Sequence, residues 1–591
     1  MPKKRIAIVD KEKCSPGKCA NLCAKLCPVN RTGTECIVIP KAEKARIDEE
    51  LCTGCGICPK RCPFGAIHVI NLPEELNQDP IQRFGQNGFH LYSLPSPMFG
   101  KVVGIVGRNG IGKSTAIKIL AGISRPNFGK YEEQELNDAQ YHQKLISFFK
   151  GTEAQLFFEK VKKKEITISY KPQQVDLLPK QFFGKVRDLL KKIDEKGIME
   201  DIVKRLQLND ILDTELKNIS GGELQRVAIA ATVLKKANLY IFDEPTSFLD
   251  IKQRIRVSEF IKSLADNKTA VLVVEHDLVI LDYMTDLVHL MYGLPGCYGI
   301  VSQPKTTRVA INRYLEGYLK EENIRFRPNT IKFEAKPPVE KKHKDALTSW
   351  QGISKKLDKF SLNAISGTVY KGQVAGILGE NGIGKTTFMR ILAGEIAPEK
   401  GELKEKIRIS YKPQYIYIEQ DSSVEELLKD SFGKYENLLM VPLDIPDLLA
   451  KKLSQLSGGE LQRVAIALCL SRDADLYLLD EPSAYLDVEQ RLIVSKIIRD
   501  FMELKGRTAL IVDHDVLFVD YFADHLIVME GVPAKHGTVK GPFSMAEGMN
   551  IFLKELDISM RRDLESKRPR INDHNSQMDR KQKQEGKLYY Q

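Results

Sequence analysis

Short apolar runs that stop at glycines or at acids recur along this chain, and they lay out the same α/β pattern twice. Val102 to Val106 and Val374 to Leu378 read as strands, and each leads through a glycine-rich loop into an apolar helical pattern. Leu239-Tyr240-Ile241-Phe242 and Leu476-Tyr477-Leu478-Leu479 read as buried parallel strands that end in Asp-Glu, while Val271 to Val274 and Leu510 to Val512 lead to a histidine. Strands alternating with helices predict an α/β fold with a parallel sheet in each copy. No apolar run approaches the roughly 20 residues that span a bilayer, which argues against a membrane pore.

The two copies can be aligned by their motifs. Gly107-Arg108-Asn109-Gly110-Ile111-Gly112-Lys113-Ser114-Thr115 recurs 272 positions on as Gly379-Glu380-Asn381-Gly382-Ile383-Gly384-Lys385-Thr386-Thr387. Ser220-Gly221-Gly222-Glu223-Leu224-Gln225-Arg226 recurs 237 positions on, from Ser457 to Arg463. Tyr170-Lys171-Pro172-Gln173 and Tyr411-Lys412-Pro413-Gln414 lie 241 apart, so 31 extra residues separate the first glycine-rich loop from Gln173. This insertion, about 130–165, carries Ala154, Phe157, Phe158 and Val161 at helical spacing after Thr152 and Gln155 arranged as a capping box. A preceding helix is expected to end near Gly151. The result is a helix-loop-helix with a basic tail, Lys160 and Lys162 to Lys164, unless it is a plain solvated decoration.

The glycine-rich loops supply backbone N–H groups that wrap phosphates at a helix N-terminus, with Lys113 and Lys385 reaching the outer phosphates and the Ser114 and Thr386 hydroxyls completing a magnesium shell. Asp243 and Asp480 are the metal-side acids, and Glu244 and Glu481 the candidate general bases. His276 and His514 recur at matching distances after the Asp-Glu pairs, just past a strand end, where a histidine could touch the outermost phosphate.

Of eleven cysteines, nine lie between Cys14 and Cys62. Such clustering points to metal rather than disulfides. Cys52-x2-Cys55-x2-Cys58-x3-Cys62-Pro63 has the bacterial ferredoxin spacing for a 4Fe-4S cluster, and Cys14-x4-Cys19-x3-Cys23-x3-Cys27-Pro28 supplies four more ligands. The ferredoxin crossover rule gives one cluster to Cys52, Cys55, Cys58 and Cys27, and the other to Cys14, Cys19, Cys23 and Cys62. Zinc is the alternative. Cys36 is left over as a buried small residue.

At 591 residues the chain exceeds what one core supports, and 42% hydrophobic with 28% charged residues is a folded, globular composition. Lys and Arg exceed Asp and Glu by 89 to 78, which permits an RNA or acidic-protein partner without requiring one. The basic start leads into an apolar stretch too short for a signal peptide, which predicts a cytoplasmic protein. The expected domains are 1–75 for the ferredoxin-like part, 76–320 for the first nucleotide-binding domain and 346–545 for the second. A Pro- and Lys-rich hinge at 321–345 joins the repeats, and a basic hinge segment at 546–591, otherwise a disordered terminus, follows them.

The phosphate loops, Gln173 and Gln414, the two Ser-Gly-Gly-Glu-Leu-Gln-Arg segments, the Asp-Glu pairs, Asp250 and Asp487, and the two histidines together resemble the ABC ATPase family. That resemblance implies head-to-tail pairing of two cassettes around two ATP molecules. Gly107, Asn109, Gly110, Gly112, Lys113, Ser114 and Thr115 would bind ATP with Ser457 and Gly459 opposite. Gly379, Asn381, Gly382, Gly384, Lys385, Thr386 and Thr387 would bind it with Ser220 and Gly222 opposite. Gln173 and Gln414 would join Ser114 and Thr386 at magnesium, and Asp250 and Asp487 would form the D-loops.

Ferredoxin-like cysteines joined to two such cassettes resemble the ribosome-recycling ABC proteins of subfamily E, the RNase L inhibitor family. The insertion falls where that family has its helix-loop-helix, and Arg325-Phe326-Arg327 and Arg568-Pro569-Arg570-Ile571-Asn572 look like its hinge segments. Arg83 to Phe89 resembles its adenine-stacking loop, with Phe84 and Phe89 as aromatics, Phe84 standing where a Tyr is usual, and Phe360 as the counterpart in the second cassette at a spacing that differs by one residue. What the family implies is ATP-driven separation of ribosomal subunits after termination or stalling, in contact with the small subunit and ribosomal RNA. A release factor or its Pelota paralogue would be the partner, and the protein would act as a monomer. Two other classes compete: an ATP-coupled iron-sulfur redox protein, and a soluble motor subunit of a transporter.

Overall fold

The computed structural model describes residues 5–40, 43–71, 79–130, 137–327, 330–331, 333, 345–403, 407–414 and 421–589. It divides into two compact units. The expected boundary at 75/76 and the Pro- and Lys-rich stretch of the hinge lie outside the described residues.

The first unit takes in residues 1–245, 260–275 and 285–330. Its N-terminal part is held by strand Arg5–Val9 antiparallel to Ile67–Asn71, with helices Leu22–Leu26 and Ile57–Arg61 between them. The apolar residues Ala7, Val9, Ile37, Ala45, Ile47, Ala66 and Ile67 share one small core with the Cys14, Cys23, Cys27, Cys36 and Cys58 thiols. A core this small needs reinforcement from bound groups.

The rest of the unit is built on a sheet whose centre is parallel: Ile168–Lys171, Leu239–Asp243, Ala270–Val274, Val102–Val106 and Leu287–Leu294, in that spatial order. Three of these strands, Leu239–Asp243, Ala270–Val274 and Val102–Val106, are buried at every position, which is why the sequence shows them as unbroken apolar runs. Their C-terminal ends carry the phosphate loop and the Asp-Glu pair, the usual ligand edge of a parallel sheet.

The insertion folds as helices Asp138–Phe148 and Glu153–Lys162. Ala154, Phe157, Phe158 and Val161 pack against the sheet core, while Lys160 and Lys162 to Lys164 face solvent. The first helix ends at Phe148, near Gly151 as expected, and one detail differs from the sequence reading: the Thr152–Gln155 capping box is not formed. The Thr152 hydroxyl donates to Phe149 O at 2.8 Å and Gln155 Oε1 accepts from Gly151 N–H at 2.8 Å, so the tight turn between the helices captures both side chains.

The second unit contains residues 246–259, 276–284 and 331–591. Its sheet repeats the parallel order with Ile409–Lys412, Leu476–Asp480, Thr508–Val512, Val374–Leu378 and His525–Val532. The boundary expected at 545/546 is too early. Helix Met545–Glu555 belongs to this sheet's packing, since a Cβ on Gly548 would lie 2.6 Å from Leu526 Cβ.

The segment beyond is ordered rather than a loose basic tail. Strands Met560–Arg562 and Pro569–Ile571 pair antiparallel, helix Gln577–Glu585 follows, and Leu588 and Tyr589 are buried. Fully buried Arg568 donates to Asp282 Oδ2 at 2.9 Å, joined by Arg570 Nε at 2.5 Å. In the first unit, the other expected hinge segment is anchored by Arg327, which donates to Leu315 O at 2.6 Å, while Phe326 packs on Tyr292 and Tyr314.

Candidate nucleotide sites and cysteine centre

Each phosphate loop turns into its helix through a glycine in the left-handed region, Gly112 with φ 94° and Gly384 with φ 93°. A side chain there would also collide: a Cβ would lie 2.8 Å from Phe89 Cζ in the first loop and 2.7 Å from Phe360 Cζ in the second. Leu91 and Leu362 stand beside them in the same way. Phe360 is therefore the counterpart of Phe89, not of Phe84, which is 51% exposed with its ring 6.2 Å from that of Phe89. The spacing from aromatic to glycine differs by one residue between the two loops, 23 for Phe89 and 24 for Phe360.

Helices Lys113–Leu120 and Lys385–Leu392 open directly after these glycines, which leaves their first N–H groups for an anion. Lys113 Nζ donates to Gly107 O and Arg108 O at 2.8 Å, and Lys385 Nζ to Gly379 O at 3.0 Å and Glu380 O at 2.6 Å. Both amines are buried over the loop that a phosphate would fill.

The Asp-Glu pairs end their strands identically. Burial and the adjacent Glu244 charge push the Asp243 carboxyl up, against Lys171, the Ser114 hydroxyl and Lys113. Burial pushes Asp480 up to about 6, with Thr386, Lys412 and Lys385 opposing. Asp243 Oδ1 and Asp480 Oδ1 are buried without a hydrogen-bond partner among the described residues. A buried carboxylate oxygen left bare beside a hydroxyl is the donor set a hard divalent cation completes, so these residues fit magnesium.

Glu244 and Glu481 adopt φ of 46° and 47°. Left-handed backbone is uncommon for a non-glycine residue and concentrates at active sites. Several donors hold it. The Glu244 and Glu481 N–H groups donate to Val274 O and Val512 O at 2.9 and 2.8 Å, and their carbonyls each accept from Gln225 or Gln462 at 2.6 Å. Beneath them Lys171 Nζ donates to Asp243 O at 2.9 Å and Glu244 O at 3.1 Å, and Lys412 Nζ to Asp480 O at 2.8 Å and Glu481 O at 3.4 Å. Burial pulls both lysines down to about 8. Sequence reasoning missed these four supporting residues, although each sits in a repeated motif, Tyr-Lys-Pro-Gln or Ser-Gly-Gly-Glu-Leu-Gln-Arg.

The Glu side chains are engaged as well. Gln173 and Gln414 donate to the Glu244 and Glu481 carboxylates, and His514 Nε2 lies 3.4 Å from Glu481 Oε1. His276 is buried just beyond Ala270–Val274. Ser220 and Ser457 start helices Gly221–Val233 and Gly458–Ser471 through capping boxes with Glu223 and Glu460, so the N-termini carrying Gly222 and Gly459 are fixed. Asp250 and Asp487 accept from Gln253 and Gln490 N–H at 2.9 Å. Within the second unit, Asp250 Oδ2 also accepts from Asn381 N–H at 3.0 Å.

The cysteines gather in two sets. Cys27, Cys52, Cys55 and Cys58 line one cavity, which Cys36 also borders. Around Cys23, burial and the neighbouring Cys19, Cys14 and Cys62 push the thiol up to about 11, against a backbone hydrogen bond at Ala24. Four soft thiol donors about a common cavity fit an iron-sulfur cluster. Cys36 Sγ lies 3.7 Å from Asp48 O, to which it donates.

The fold and the duplicated strand-end chemistry define a tandem ABC-type ATPase with a cysteine-rich N-terminal domain. The ABC transporter family model matches residues 98–247 and 362–484, a possible Fer4-like domain of RNase L inhibitor matches 5–35, and a 4Fe-4S binding domain matches 45–68. An uncharacterized ABC transporter ATP-binding protein of Methanocaldococcus jannaschii is 52% identical over 99% of this chain and 97% of its own. Translation initiation factor RLI1 of Saccharomyces cerevisiae is 44% identical over 99% and 98%. A solved structure described as ribosome-bound archaeal Pelota and ABCE1 contains a chain that is 51% identical, with a TM-score of 0.92 and coverage of 100% and 99%. The chain belongs to the RNase L inhibitor family, subfamily E of the ABC proteins. Among the described residues no helix is long and apolar enough to cross a membrane.

Proposed function

We propose that this chain is an ATP-driven ribosome recycling factor that separates large and small ribosomal subunits after termination or stalling. The observation that carries the reading is the full-length likeness to a chain seen on the ribosome beside Pelota. A release factor or a Pelota-type factor is accordingly the expected partner.

In this reading the loop amides with Lys113 and Lys385 bind the ATP phosphates, and Ser220, Gly222, Ser457 and Gly459 receive the terminal phosphate of the opposite loop at a helix N-terminus. Ser114, Gln173 and Asp243, and Thr386, Gln414 and Asp480, would hold magnesium, which supplies neutralisation of phosphate charge. Glu244 and Glu481 accept the proton of the attacking water, with His276 and His514 near the terminal phosphate. Phe89 and Phe360 wall the phosphate loops, and exposed Phe84 is free to stack on adenine. Cys27, Cys52, Cys55 and Cys58 would hold one 4Fe-4S cluster and Cys14, Cys19, Cys23 and Cys62 the other, making the small domain stiff enough to act as a moving arm. The exposed lysines after Val161 suit contact with ribosomal RNA, and the protein works as a monomer with its own two cassettes paired.

The test is co-sedimentation with small ribosomal subunits in a non-hydrolysable ATP analogue, beside subunit splitting with ATP and a Pelota-type factor. Binding that ignores nucleotide, together with no splitting, would remove the proposal.

A further inference from the structure

Each repeat carries an arginine on the helix that follows its Asp250 or Asp487 loop, at equivalent positions 237 apart. In helix Val488–Lys505, Arg491 Nε donates to Leu486 O at 3.0 Å and its Nη1 lies 2.9 Å from Asp515 Oδ2. In helix Ile251–Lys262, Arg254 Nε donates to Leu249 O at 2.9 Å and its Nη1 lies 2.8 Å from Asp277 Oδ2. Leu249 and Leu486 immediately precede the loop aspartates, and Asp277 and Asp515 immediately follow His276 and His514. All of these residues belong to the second compact unit. The other oxygen of each acid accepts from the next helix, Asp277 Oδ1 from Ile280 N–H and Asp515 Oδ1 from Phe518 N–H, both at 3.1 Å. The aspartate beside each histidine is thus fixed on one side by the helix it caps and on the other by a guanidinium.

We infer that Arg254 and Arg491 are positioning residues for ATP hydrolysis, each strapping the Asp250 or Asp487 loop to the turn that aims His276 or His514. The inference rests on the reading that these histidines serve the terminal phosphate. The guanidinium matters for its shape as well as its charge. One planar fork reaches a carbonyl on one loop and a carboxylate beside the other, which the single point charge of a lysine cannot do in fixed geometry. The alternative is that the arginines only neutralise buried acids. Burial and the Asp515 charge do push the Asp277 carboxyl up to about 6, with Arg254 and Arg491 opposing. Neutralisation does not call for the Nε bonds to Leu249 O and Leu486 O, however, and these occur in both copies. The second copy also shows what the strap steadies, since His514 Nε2 stands 3.4 Å from Glu481 Oε1. A displacement of about 1 Å at a reacting contact costs up to roughly a hundredfold in rate.

The two straps adjoin, with Arg254, Asp277 and His514 bordering one cavity, so the experiment alters both copies at once in the full-length protein. It reads kcat and KM for ATP, with the urea midpoint beside them. R254K/R491K keeps both charges but breaks the fork, and should lower kcat roughly tenfold while KM and the urea midpoint stay close to the parent. D277N/D515N cuts the strap from its other end and keeps an acceptor for each cap, so it should lower kcat alike, and it carries the test if the lysine variant folds poorly. H276A/H514A should be slower still. Because the arginines act through the histidines, R254K/R491K/H276A/H514A should match H276A/H514A within about twofold rather than multiply the two losses. Parental kcat in either folded strap variant, or losses that multiply in the quadruple variant, overturns the inference. Slow turnover in H276A/H514A beside parental R254K/R491K sinks the strap alone, whereas parental turnover in H276A/H514A sinks the underlying reading of the histidines.

Discussion

Gln414 donates its side-chain amide to Glu481 Oε1 at 2.8 Å, and the same bond, at 2.7 Å, joins Gln173 to Glu244. The glutamine that the family reading sends to magnesium thus rests on the carboxylate that the same reading makes the base. In the second site, burial raises the Glu481 carboxyl, but the His514 hydrogen bond and charge, Lys385 and Gln414 outweigh it and bring it down to about 2. The carboxylate is held ionised, which a proton acceptor requires.

Replacing that acceptor separates binding from chemistry. Glu244→Gln and Glu481→Gln keep shape and most hydrogen bonds but cannot take the proton of water, so each should slow hydrolysis, and the double variant by about a hundredfold or more. Nucleotide should remain bound and accumulate unhydrolysed. Filter-binding of ATP beside phosphate release measures both; parental turnover in the double variant would take these residues out of the mechanism.

The buried lysines give a pH signature. Lys171 has its ammonium pulled down to about 8 from an ordinary value near 10.5. Between those values the unfolded chain holds a proton that the folded one has released, so stability rises with pH across that window, and the full cost of burying the charge is borne below about 8. The urea midpoint of the parent, compared with Lys171→Met, should therefore gain on the variant between pH 8 and pH 10. A constant difference would mean that Lys171 titrates normally.

Iron content sorts ligands from neighbours among the cysteines. Cys55→Ser should lose iron and colour, whereas Cys36→Ser should keep about eight iron atoms per chain, the number for two 4Fe-4S clusters. Cys36 borders the same cavity as Cys55, so proximity alone would treat the two alike. Iron loss in Cys36→Ser would make it a ligand.

Asn87 fastens the small domain to the first sheet. Its side-chain N–H donates to Ala7 O and Ile47 O at 2.9 Å, and Oδ1 accepts from Ile47 N–H at 2.8 Å, all buried. Asn87→Ala would strand these backbone groups, at a cost of about 3 kcal/mol to the docking of the small domain. Amide exchange at Ala7 and Ile47 should quicken while the parallel strands stay protected; unchanged exchange would show that the apolar contacts suffice.

Legibility followed locality. The phosphate loops, the Asp-Glu pairs and the cysteine runs carry their chemistry at fixed short spacing, so the sequence displays them without a fold. Lys171, Lys412, Gln225 and Gln462 do not advertise themselves, because a lysine or glutamine is usually solvated and only burial under a strand end makes it a support. Phe360 finds its place through a strand pairing, Phe360–Ala364 beside His536–Ser544, that joins distant segments and that no short motif displays. The basic C-terminal stretch reads as a tail until Arg568 is seen to meet a carboxylate 286 residues earlier.

That last separation bears on how the molecule is born. The Asp282 side chain is buried, and its partners Arg568 and Arg570 follow it by 286 and 288 residues. At synthesis rates of about 5–20 residues per second, its helix, Leu278–Met284, waits on the order of tens of seconds for them. A buried charge without its partner is too costly to persist. The segment 276–284 is therefore expected to stay hydrated until Arg568 has been made, so a polypeptide truncated before Arg568 would expose an open acidic seam.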